Sequence, residues 1–208
     1  MLIGISGLIG SGKSTVANIL IKECNFTKLS FADSLKDAIA TVFHWPRYML
    51  EGDTEESREW REKIDTWWAN KLNMPNLTPR WVLQYWGTDL CRNSFHKDIW
   101  ILSMENKLND LLKLNPDFDV VIPDTRFSNE IEMIRSLGGN TWRVKRGYNP
   151  DWFNDYINYG KTPIDIHASE WDWALSKFDA VIKNDGKLEE LKPIVESIVN
   201  HHKTYNKQ

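Results

Sequence analysis

Gly7–Ser14, which reads GLIGSGKS, holds the residues best suited to do chemistry. Its glycines, lysine and serine follow the full G-x-x-x-x-G-K-[ST] spacing, in which glycines allow consecutive backbone N–H groups to turn inward around an anion. In this pattern Lys13 reaches the β- and γ-phosphates of a nucleotide, and the Ser14 hydroxyl ligates Mg²⁺. The spacing therefore predicts a phosphate-binding loop; the alternative is an ordinary glycine-rich turn between a strand and a helix.

A second pair of polar side chains, Asp124 and Arg126, follows a run rich in β-branched residues at 118–122. Such a run without alternation is typical of a strand buried on both faces of a parallel sheet. Ligands of these sheets collect at the carboxyl ends of the strands, so we expect the pair near the glycine loop. There the carboxylate can organise Mg²⁺ and the guanidinium can bind a phosphate with two hydrogen bonds. The alternative is an Asp that caps the following turn beside an Arg on the surface.

An aromatic and basic segment at residues 44–100 indicates a pocket for a second substrate. Arg80 and Arg92, with Lys36 just before the segment, are candidates to bind an acceptor phosphate. The candidates to stack on a base are Trp81, Tyr85, Trp86 and Trp100. For each aromatic side chain taken singly, packing in the core is the alternative. The chain has no N-K-x-D element and no short switch loops, so a GTP-dependent switch protein is not favoured.

Strands and helices alternate along the chain and must position these residues. Apolar runs predict strands before the glycine loop and at 26–30, 118–122, 141–145 and 180–183. Helical patterns follow the loop and cover 35–43, 78–86, 99–114, 128–137 and 188–199. We expect Gly87 to end the helix at 78–86. This order indicates an α/β fold with a mostly parallel sheet flanked by helices.

The length of 208 residues fits a single domain, 1–208. Residues 44–115 are expected to form a helical acceptor-binding segment inserted in it. Residues 147–168, rich in Asn, Asp, Gly and Pro, are expected to form a lid-like loop. Arg143 and Arg146 flank that loop and are candidates to contact the transferring phosphoryl group when the lid closes.

Charge and composition narrow the class of partner. A net charge of −3 gives no global positive field, so stable nucleic-acid binding is not expected, and a small phosphorylated substrate fits better. Cys24 and Cys91 stand outside any C-x-x-C spacing, which favours neither a disulfide framework nor a zinc site. No apolar run approaches about 18 residues, and the first residues lack the pattern of a signal peptide. We therefore expect no membrane partner and a cytoplasmic location.

Six segments carry a resemblance to a known family. They are GLIGSGKS, SFADSLKDAI, RWVLQYWGTDLCRNSFHKDIW, VVIPDTRFSNEIEMIRSLGG, HASE and VIKNDGKLEEL. In this order they resemble the bacteriophage-type deoxynucleoside monophosphate kinases of the P-loop nucleoside monophosphate kinase superfamily, over nearly the whole chain. The glycine loop is shared by many ATPases, whereas Q-x-x-G-T-D and D-T-R-F-S-N-E are much more specific.

This resemblance implies a P-loop kinase fold with a five-stranded sheet. It also implies transfer of the ATP γ-phosphoryl to a deoxynucleoside 5′-monophosphate, with Mg²⁺ as cofactor. A homodimer is implied as well, acting in the host cytoplasm if the protein is viral. The alternatives are a kinase of another small acceptor, such as dephospho-coenzyme A or a nucleoside, and a non-catalytic ATP-dependent module.

The resemblance also implies roles for individual residues. The ATP-binding residues would be Gly7, Gly10, Ser11, Gly12, Lys13, Ser14, Thr15, Asn184 and Gly186. The substrate-binding residues would be Lys36, Arg80, Gln84, Asp89, Arg92, Trp100, Arg126 and Glu170. Catalysis would fall to Lys13, Asp124, Arg126 and Arg146, and Mg²⁺ to Ser14 and Asp124.

Two of these segments also have local structural interpretations. Asn184–Gly186 can be a plain Asn-Asp-Gly turn. The HASE segment contains Ser169, which with Asp172 three residues later can form a capping box. The resemblance assigns no residue to the choice of base or to the exclusion of ribonucleotides.

Overall fold

Five strands form one parallel sheet in the computed structural model, which describes residues 1–115 and 117–205. The strands are β1 (Leu2–Ser6), β2 (Thr27–Lys28), β3 (Val120–Ile122), β4 (Asn140–Lys145) and β5 (Ala180–Lys183). Their order across the sheet is β2-β3-β1-β4-β5, and every pair of neighbours is parallel. The predicted α/β fold is confirmed, and the carboxyl ends of the strands share one edge of the sheet.

Helices connect the strands and also build most of the segment between β2 and β3. The α-helices are α1 (Lys13–Cys24), α2 (Asp33–Phe43), α3 (Glu55–Glu62), α4 (Thr66–Leu72), α5 (Pro79–Gln84), α6 (Ile99–Leu114), α7 (Ser128–Ser136), α8 (Asp151–Tyr159) and α9 (Leu188–Tyr205). A π-helix, Tyr85–Phe95, follows α5 directly. Within the described ranges, none of the helices has the length and apolar character needed to span a lipid bilayer.

The described chain forms two compact units. The first contains the described residues of Met1–Ser30 and Glu105–Gln208, and the second contains Phe31–Met104. The sheet and the glycine loop belong to the first unit, and most of the helical segment at 44–115 belongs to the second. The role of that segment as an acceptor-binding insertion stays a prediction.

Helices cover both faces of the sheet in the first unit. On one face, Ile3 and Ile5 of β1 are fully buried in a cluster with apolar residues of α1 and α9. Successive residues of a strand point to opposite faces, so Gly4 lies on the other face, towards α7. A Cβ at Gly4 would lie 2.4 Å from Cδ1 of Ile134 in α7, so only a glycine lets that helix approach so closely.

The core of the second unit combines aliphatic side chains with a cluster of aromatic rings. Phe43 stacks on Trp45 with ring centroids 4.5 Å apart and also contacts Trp68 and Trp86. The buried Trp45 indole N–H donates to Oδ2 of Asp65 at 2.7 Å, so its polar group is satisfied. Trp86 therefore packs against the core of this unit, which is the alternative to base stacking given for it above.

Gly87 does not end the helix at 78–86, contrary to the sequence-based expectation. The chain continues through Gly87 as the π-helix, and Gly87 is buried. A Cβ there would lie 2.8 Å from Cδ2 of Leu35, and the Gly87 carbonyl accepts a hydrogen bond from the Trp100 indole at 2.8 Å. The glycine thus serves close packing of the helix, a tertiary effect that local propensity does not report.

The prediction of a loop over residues 147–168 was wrong in its middle, where α8 (Asp151–Tyr159) forms. Phe153 of α8 is fully buried against Trp173, and Tyr156 packs against Trp171 with ring centroids 5.0 Å apart. Burial of these aromatic rings outweighs the loop-favouring composition of the segment. Its action as a lid stays a prediction.

Candidate active site

The glycine loop joins β1 to α1 in a conformation that only glycines adopt without strain. Gly7 has φ 153° and Gly12 has φ 97°. A Cβ at Gly7 would lie 2.4 Å from the Val144 carbonyl oxygen of β4, and one at Gly12 would lie 2.1 Å from Nδ2 of Asn184. Both glycines are therefore needed for the close approach of the loop to its neighbours.

Asn184 follows β5 and holds the loop from the side. Its Nδ2 donates to the Ser11 carbonyl at 2.9 Å, and its backbone N–H donates to the Lys145 carbonyl at 2.8 Å. Asp185, next in the chain, accepts a hydrogen bond from the Gly147 N–H at 2.6 Å. The Asn-Asp-Gly segment is thus a turn tied to the glycine loop, and its place beside a donor adenine stays a prediction.

Lys13 is folded back into its own loop. Its Nζ donates to the carbonyl oxygens of Gly7 at 2.7 Å and Leu8 at 2.9 Å. Burial, reinforced by the positive charge of Arg126 and opposed by Glu170, lowers the pKa of Lys13 to about 8. The ammonium group is partly buried and is compensated mainly by neutral carbonyl groups. Binding of an anion such as phosphate would therefore stabilise its charged form.

Asp124 lies just beyond β3, at the same sheet edge. Its Oδ2 accepts a hydrogen bond from the Ser30 hydroxyl at 2.6 Å. The next residue, Thr125, accepts a hydrogen bond from the Ser6 hydroxyl at 2.9 Å, which ties the segment after β3 to the end of β1. The sequence-based placement of Asp124 at this edge agrees with the topology.

The oxygen donors at this edge fit a magnesium ion. Mg²⁺ keeps several waters and takes one or two carboxylates together with substrate phosphates. Asp124 offers a carboxylate, and the Ser14 hydroxyl, at the exposed start of α1, offers a second hard oxygen. The described ranges contain no group of three or more His, Cys, Asp or Glu side chains arranged to hold a metal ion.

Arg126 is fixed through both its backbone and its side chain. Its backbone N–H donates at 2.7 Å to Oε2 of Glu130, which is 2% exposed and also accepts from the Phe127 N–H. Its Nη1 donates to Oε1 of Glu170 at 2.8 Å. Only one guanidinium nitrogen is used in this ion pair, and the Arg126 side chain is 41% exposed. The remaining donors can face a phosphate.

Glu170 is the last residue of a 3₁₀ turn, Ala168–Glu170. The predicted capping box between Ser169 and Asp172 does not form. The turn is capped by His167, whose Nδ1 accepts from the Ser169 N–H at 3.3 Å. Asp172 instead accepts from the Ser128 N–H at 2.6 Å and so caps the start of α7. The long-range partner satisfies a helix N–H that has no partner within its own helix, which a local box would not do.

A cavity of about 380 Å³ opens beside the glycine loop, within the first unit. It is lined by Leu8–Ser11, by residues 143–146 and 148–150, and by Trp152, Ile166 and Glu170. The lining contributes three cationic side chains, those of Arg143, Lys145 and Arg146, and one carboxylate. This excess of positive charge suits an anionic ligand.

The predicted acceptor-binding residues other than Arg126 and Glu170 belong to the second unit, whereas Thr15, predicted to bind ATP, lies in α1 of the first unit. Lys36 of α2 donates to Oε2 of Glu51 at 2.7 Å, and Arg47 contacts the same carboxylate. Arg80 of α5 pairs with Glu62 at 3.2 Å. Gln84, Asp89 and Arg92 lie along the continuous segment of α5 and the π-helix. Their contact with an acceptor stays a prediction.

The aromatic candidates for base stacking differ in their exposure to solvent. Trp100 packs against the aromatic core of the second unit and donates to Gly87. Trp81 and Tyr85 stack on each other with an interplanar angle of 10°, and both are more than a third exposed. The exposed pair is therefore the better placed of these candidates to meet a planar base.

Comparison with known proteins decides the family. The sequence model described as deoxynucleotide monophosphate kinase matches residues 47–195. The chain is 34% identical over 214 residues to a protein of Acanthamoeba polyphaga mimivirus that carries this name, covering 99% of this chain and 100% of the relative. The chain belongs to the deoxynucleotide monophosphate kinase family.

Two bacteriophage members of the family extend this similarity. The deoxynucleotide monophosphate kinase of Enterobacteria phage T4 is 26% identical over 242 residues, covering 91% of this chain and 95% of the relative. The deoxynucleoside-5′-monophosphate kinase of Escherichia phage T5 is 27% identical over 183 residues, covering 65% and 72%. As a member of this family, the chain is a nucleotide kinase, that is, a phosphotransferase.

Sequence patterns missed the structural roles of three groups that hold the site of this kinase in place, although Asn184 was among the predicted ATP-binding residues. Glu130, Ser30 and the side chain of Asn184 fix Arg126, Asp124 and the glycine loop, respectively. Only Glu130 carried a local signal, since an acidic residue at the third position of a helix often accepts from the N–H groups before it. Ser30 and Asn184 lie in segments that carry the family resemblance, but their hydrogen bonds join residues far apart in the chain and have no local sequence signal.

Proposed function

We propose that this chain transfers the γ-phosphoryl group of ATP to a deoxynucleoside 5′-monophosphate, giving a deoxynucleoside diphosphate and ADP. The observation that carries the proposal is Lys13, enclosed by its loop carbonyls at the sheet edge in a chain of this kinase family. Family membership supports the class of reaction, and the loop supports ATP as donor. The relatives, which are named deoxynucleotide or deoxynucleoside-5′-monophosphate kinases, support a deoxynucleoside monophosphate as the acceptor.

The transfer needs charge neutralisation and alignment more than a strong base. An oxygen of the acceptor phosphate attacks the γ-phosphorus, and the bond to the β,γ-bridging oxygen breaks, so that ADP leaves. The attacking oxygen is already ionised at neutral pH, because the second pKa of a phosphate monoester is about 6. No side chain has to remove a proton before the attack.

The candidate site residues of the first unit each have a role in this transfer. Lys13 exchanges its carbonyl partners for the oxygens of the donor phosphates. Asp124 and Ser14 hold Mg²⁺, which when bound neutralises charge on the donor phosphates. Arg126, held at its backbone by Glu130, offers its free nitrogens to the transferring group or the acceptor phosphate.

We assign recognition of the acceptor to the second unit. Lys36, Arg80 and Arg92 are the candidates for its phosphate, and Gln84, Asp89 and Trp100 for the nucleoside. Support comes from the resemblance and from the exposed aromatic pair on α5 and the π-helix. Closure of residues 147–168 would exclude water and suppress hydrolysis of ATP.

The resemblance also leads us to infer a homodimer that acts in the cytoplasm. The side chains of Trp67 and Tyr48, which are 58% and 72% exposed, provide apolar surface that a second copy can cover. Cys24 and Cys91 are both free thiols, as expected in a reducing compartment.

Replacement of Lys13 tests the proposal. Lys13→Met removes the cation that faces the donor phosphates, so we expect ADP formation that depends on an added deoxynucleoside monophosphate to fall at least about 100-fold. Lys22→Met, at the exposed end of the same helix, is the matched control and should keep wild-type turnover. Wild-type turnover by folded Lys13→Met protein would contradict the proposal.

A further inference from the structure

Arg143 of β4 has no carboxylate partner among the residues that the structure describes. Its Nε has almost no contact with solvent and no hydrogen-bond partner among the residues that the structure describes. Its Nη2 makes a long contact of 3.5 Å with Oδ1 of Asn149, an uncharged group. Burial alone lowers the pKa of Arg143, with no carboxylate opposing it. A half-buried guanidinium of this kind is costly unless an anion joins it.

Two aromatic rings hold the guanidinium in place. Its Cζ lies 5.0 Å from the ring centroid of Phe153 and 5.4 Å from that of Trp173, distances typical of cation–π contacts. Both rings are almost fully buried, so the platform is rigid. The aromatic contacts hold the guanidinium without using its hydrogen-bond donors, of which Nε has no partner among the described residues and Nη2 has only the long contact with Asn149.

The backbone places Arg143 beside the base of the glycine loop. In the parallel pairing of β1 with β4, Arg143 is the partner of Ser6, the residue that directly precedes Gly7. Arg143 lines the same cavity as Leu8–Ser11 of the loop. Arg146 also lines this cavity, but it follows the end of β4 and its side chain is exposed.

We propose that Arg143, rather than Arg146, binds the phosphate chain of the donor nucleotide in this cavity. The guanidinium, held on its aromatic platform, donates to phosphate oxygens that the loop N–H groups also bind. Arginine suits this role because its planar fork can bind two oxygens of one phosphate. The inference rests on the proposed function only in naming the nucleotide as the source of the phosphates.

Binding of inorganic tripolyphosphate in the presence of Mg²⁺ isolates this contact, because the ligand has a phosphate chain but no nucleoside. The full chain is compared with Arg143→Met, Arg143→Lys, Arg146→Met and the control Lys22→Met, which lies outside the site, by calorimetry. We expect Arg143→Met to weaken binding tenfold or more and Arg143→Lys to be intermediate. Arg146→Met should weaken binding less than Arg143→Met does, and Lys22→Met should bind tripolyphosphate as tightly as wild type.

Kinetics with ATP separate a binding role from a packing role. The Arg143→Met protein should lose about 100-fold in kcat/KM for ATP, an effect of the size found when one charge-stabilising donor is removed. Its melting temperature without ligand should change little, whereas the shift produced by tripolyphosphate should shrink. Wild-type affinity for tripolyphosphate in Arg143→Met, or a larger loss in Arg146→Met, would overturn the inference.

Two further outcomes are decisive. If Arg143→Met does not fold, Arg143→Lys retains the charge without the planar fork, and unchanged tripolyphosphate affinity in that variant overturns the inference. If the wild-type chain binds tripolyphosphate through Arg143 but phosphorylates no deoxynucleoside monophosphate, the proposed function fails and the inference stands.

Discussion

At the scale of single residues, the site is defined by cations whose negative partners are too few. Among the residues that the structure describes, Lys13 donates to carbonyl oxygens and Arg126 pairs with one carboxylate, that of Glu170. The charge of Glu170 also acts on Lys13. Such an arrangement stores unfavourable electrostatic energy that a bound phosphate relieves. The consequence is a link between nucleotide binding and the protonation of Lys13.

The pH dependence of nucleotide binding follows from the lowered pKa of Lys13. With a pKa of about 8 in the free protein, Lys13 loses its proton as the pH rises through 8, well below its usual range. Bound phosphates raise that pKa again, so binding at pH 8.5 should take up a proton, and affinity should fall as the pH rises above 8. Calorimetry with MgADP in buffers of different ionisation enthalpy measures the uptake.

Glu170→Gln and Lys13→Met supply the controls for this experiment. Glu170 raises the pKa of Lys13, so its neutralisation should move the decline in affinity to lower pH. Lys13→Met should show no proton uptake linked to that position. Equal uptake in Lys13→Met and wild type would contradict this account of Lys13.

At the scale of elements, the loop depends on Gly12, which is covered by the side chain of Asn184, the residue directly after β5. Gly12 has φ 97°, and its missing Cβ leaves room for the Asn184 side chain that donates to the Ser11 carbonyl. Gly10 also has a positive φ of 75°, but a Cβ there would meet no atom within 4 Å. Substitutions at Gly10 and Gly12 can therefore distinguish the effect of backbone strain from that of a steric clash.

Alanine at these two glycines should lower the free energy of unfolding to different degrees. Gly10→Ala introduces only backbone strain, which costs about 1–2 kcal/mol in the left-handed region. Gly12→Ala adds a clash with Asn184 and the loss of its hydrogen bond, so its effect should exceed that of Gly10→Ala by about 1 kcal/mol or more. Urea unfolding measures both values.

The double variant Gly12→Ala with Asn184→Ala identifies the clash as the cause. Removing the Asn184 side chain removes the atom that Cβ would meet, so the double variant should lose less than the sum of the two single losses. Additive losses, or equal losses at Gly10 and Gly12, would show that Asn184 does not constrain the loop.

The elements that sequence patterns predicted well are those with local signals. The β-branched run before Asp124 and the glycine spacing before Lys13 identified β3 and the loop, and the parallel topology brought both to one edge. Patterns failed at α8 and at Gly87, where distant aromatic and apolar side chains decide the conformation. Tertiary packing outweighs local propensity at such places.

At the scale of the whole molecule, the two units divide the predicted tasks of a kinase. The first unit contains the glycine loop, Asp124, Arg126 and the cavity with Arg143, and the second contains Lys36 and the aromatic pair. The sequence analysis named these residues from their types and spacing, and the family resemblance then implied roles for most of them. It did not reach their partners, because hydrogen bonds such as that from Asn184 to Ser11 join residues far apart in the chain.

The central claim is that the phosphoryl group moves from ATP to a deoxynucleoside monophosphate. The most direct measurement follows the label from γ-labelled ATP with Mg²⁺ and dAMP, dGMP, dCMP or dTMP, with the matching ribonucleotides and dephospho-coenzyme A as comparisons. We predict labelled deoxynucleoside diphosphate with at least one deoxy acceptor, and none with Lys13→Met. Label found only as inorganic phosphate, or only on dephospho-coenzyme A, would contradict the account.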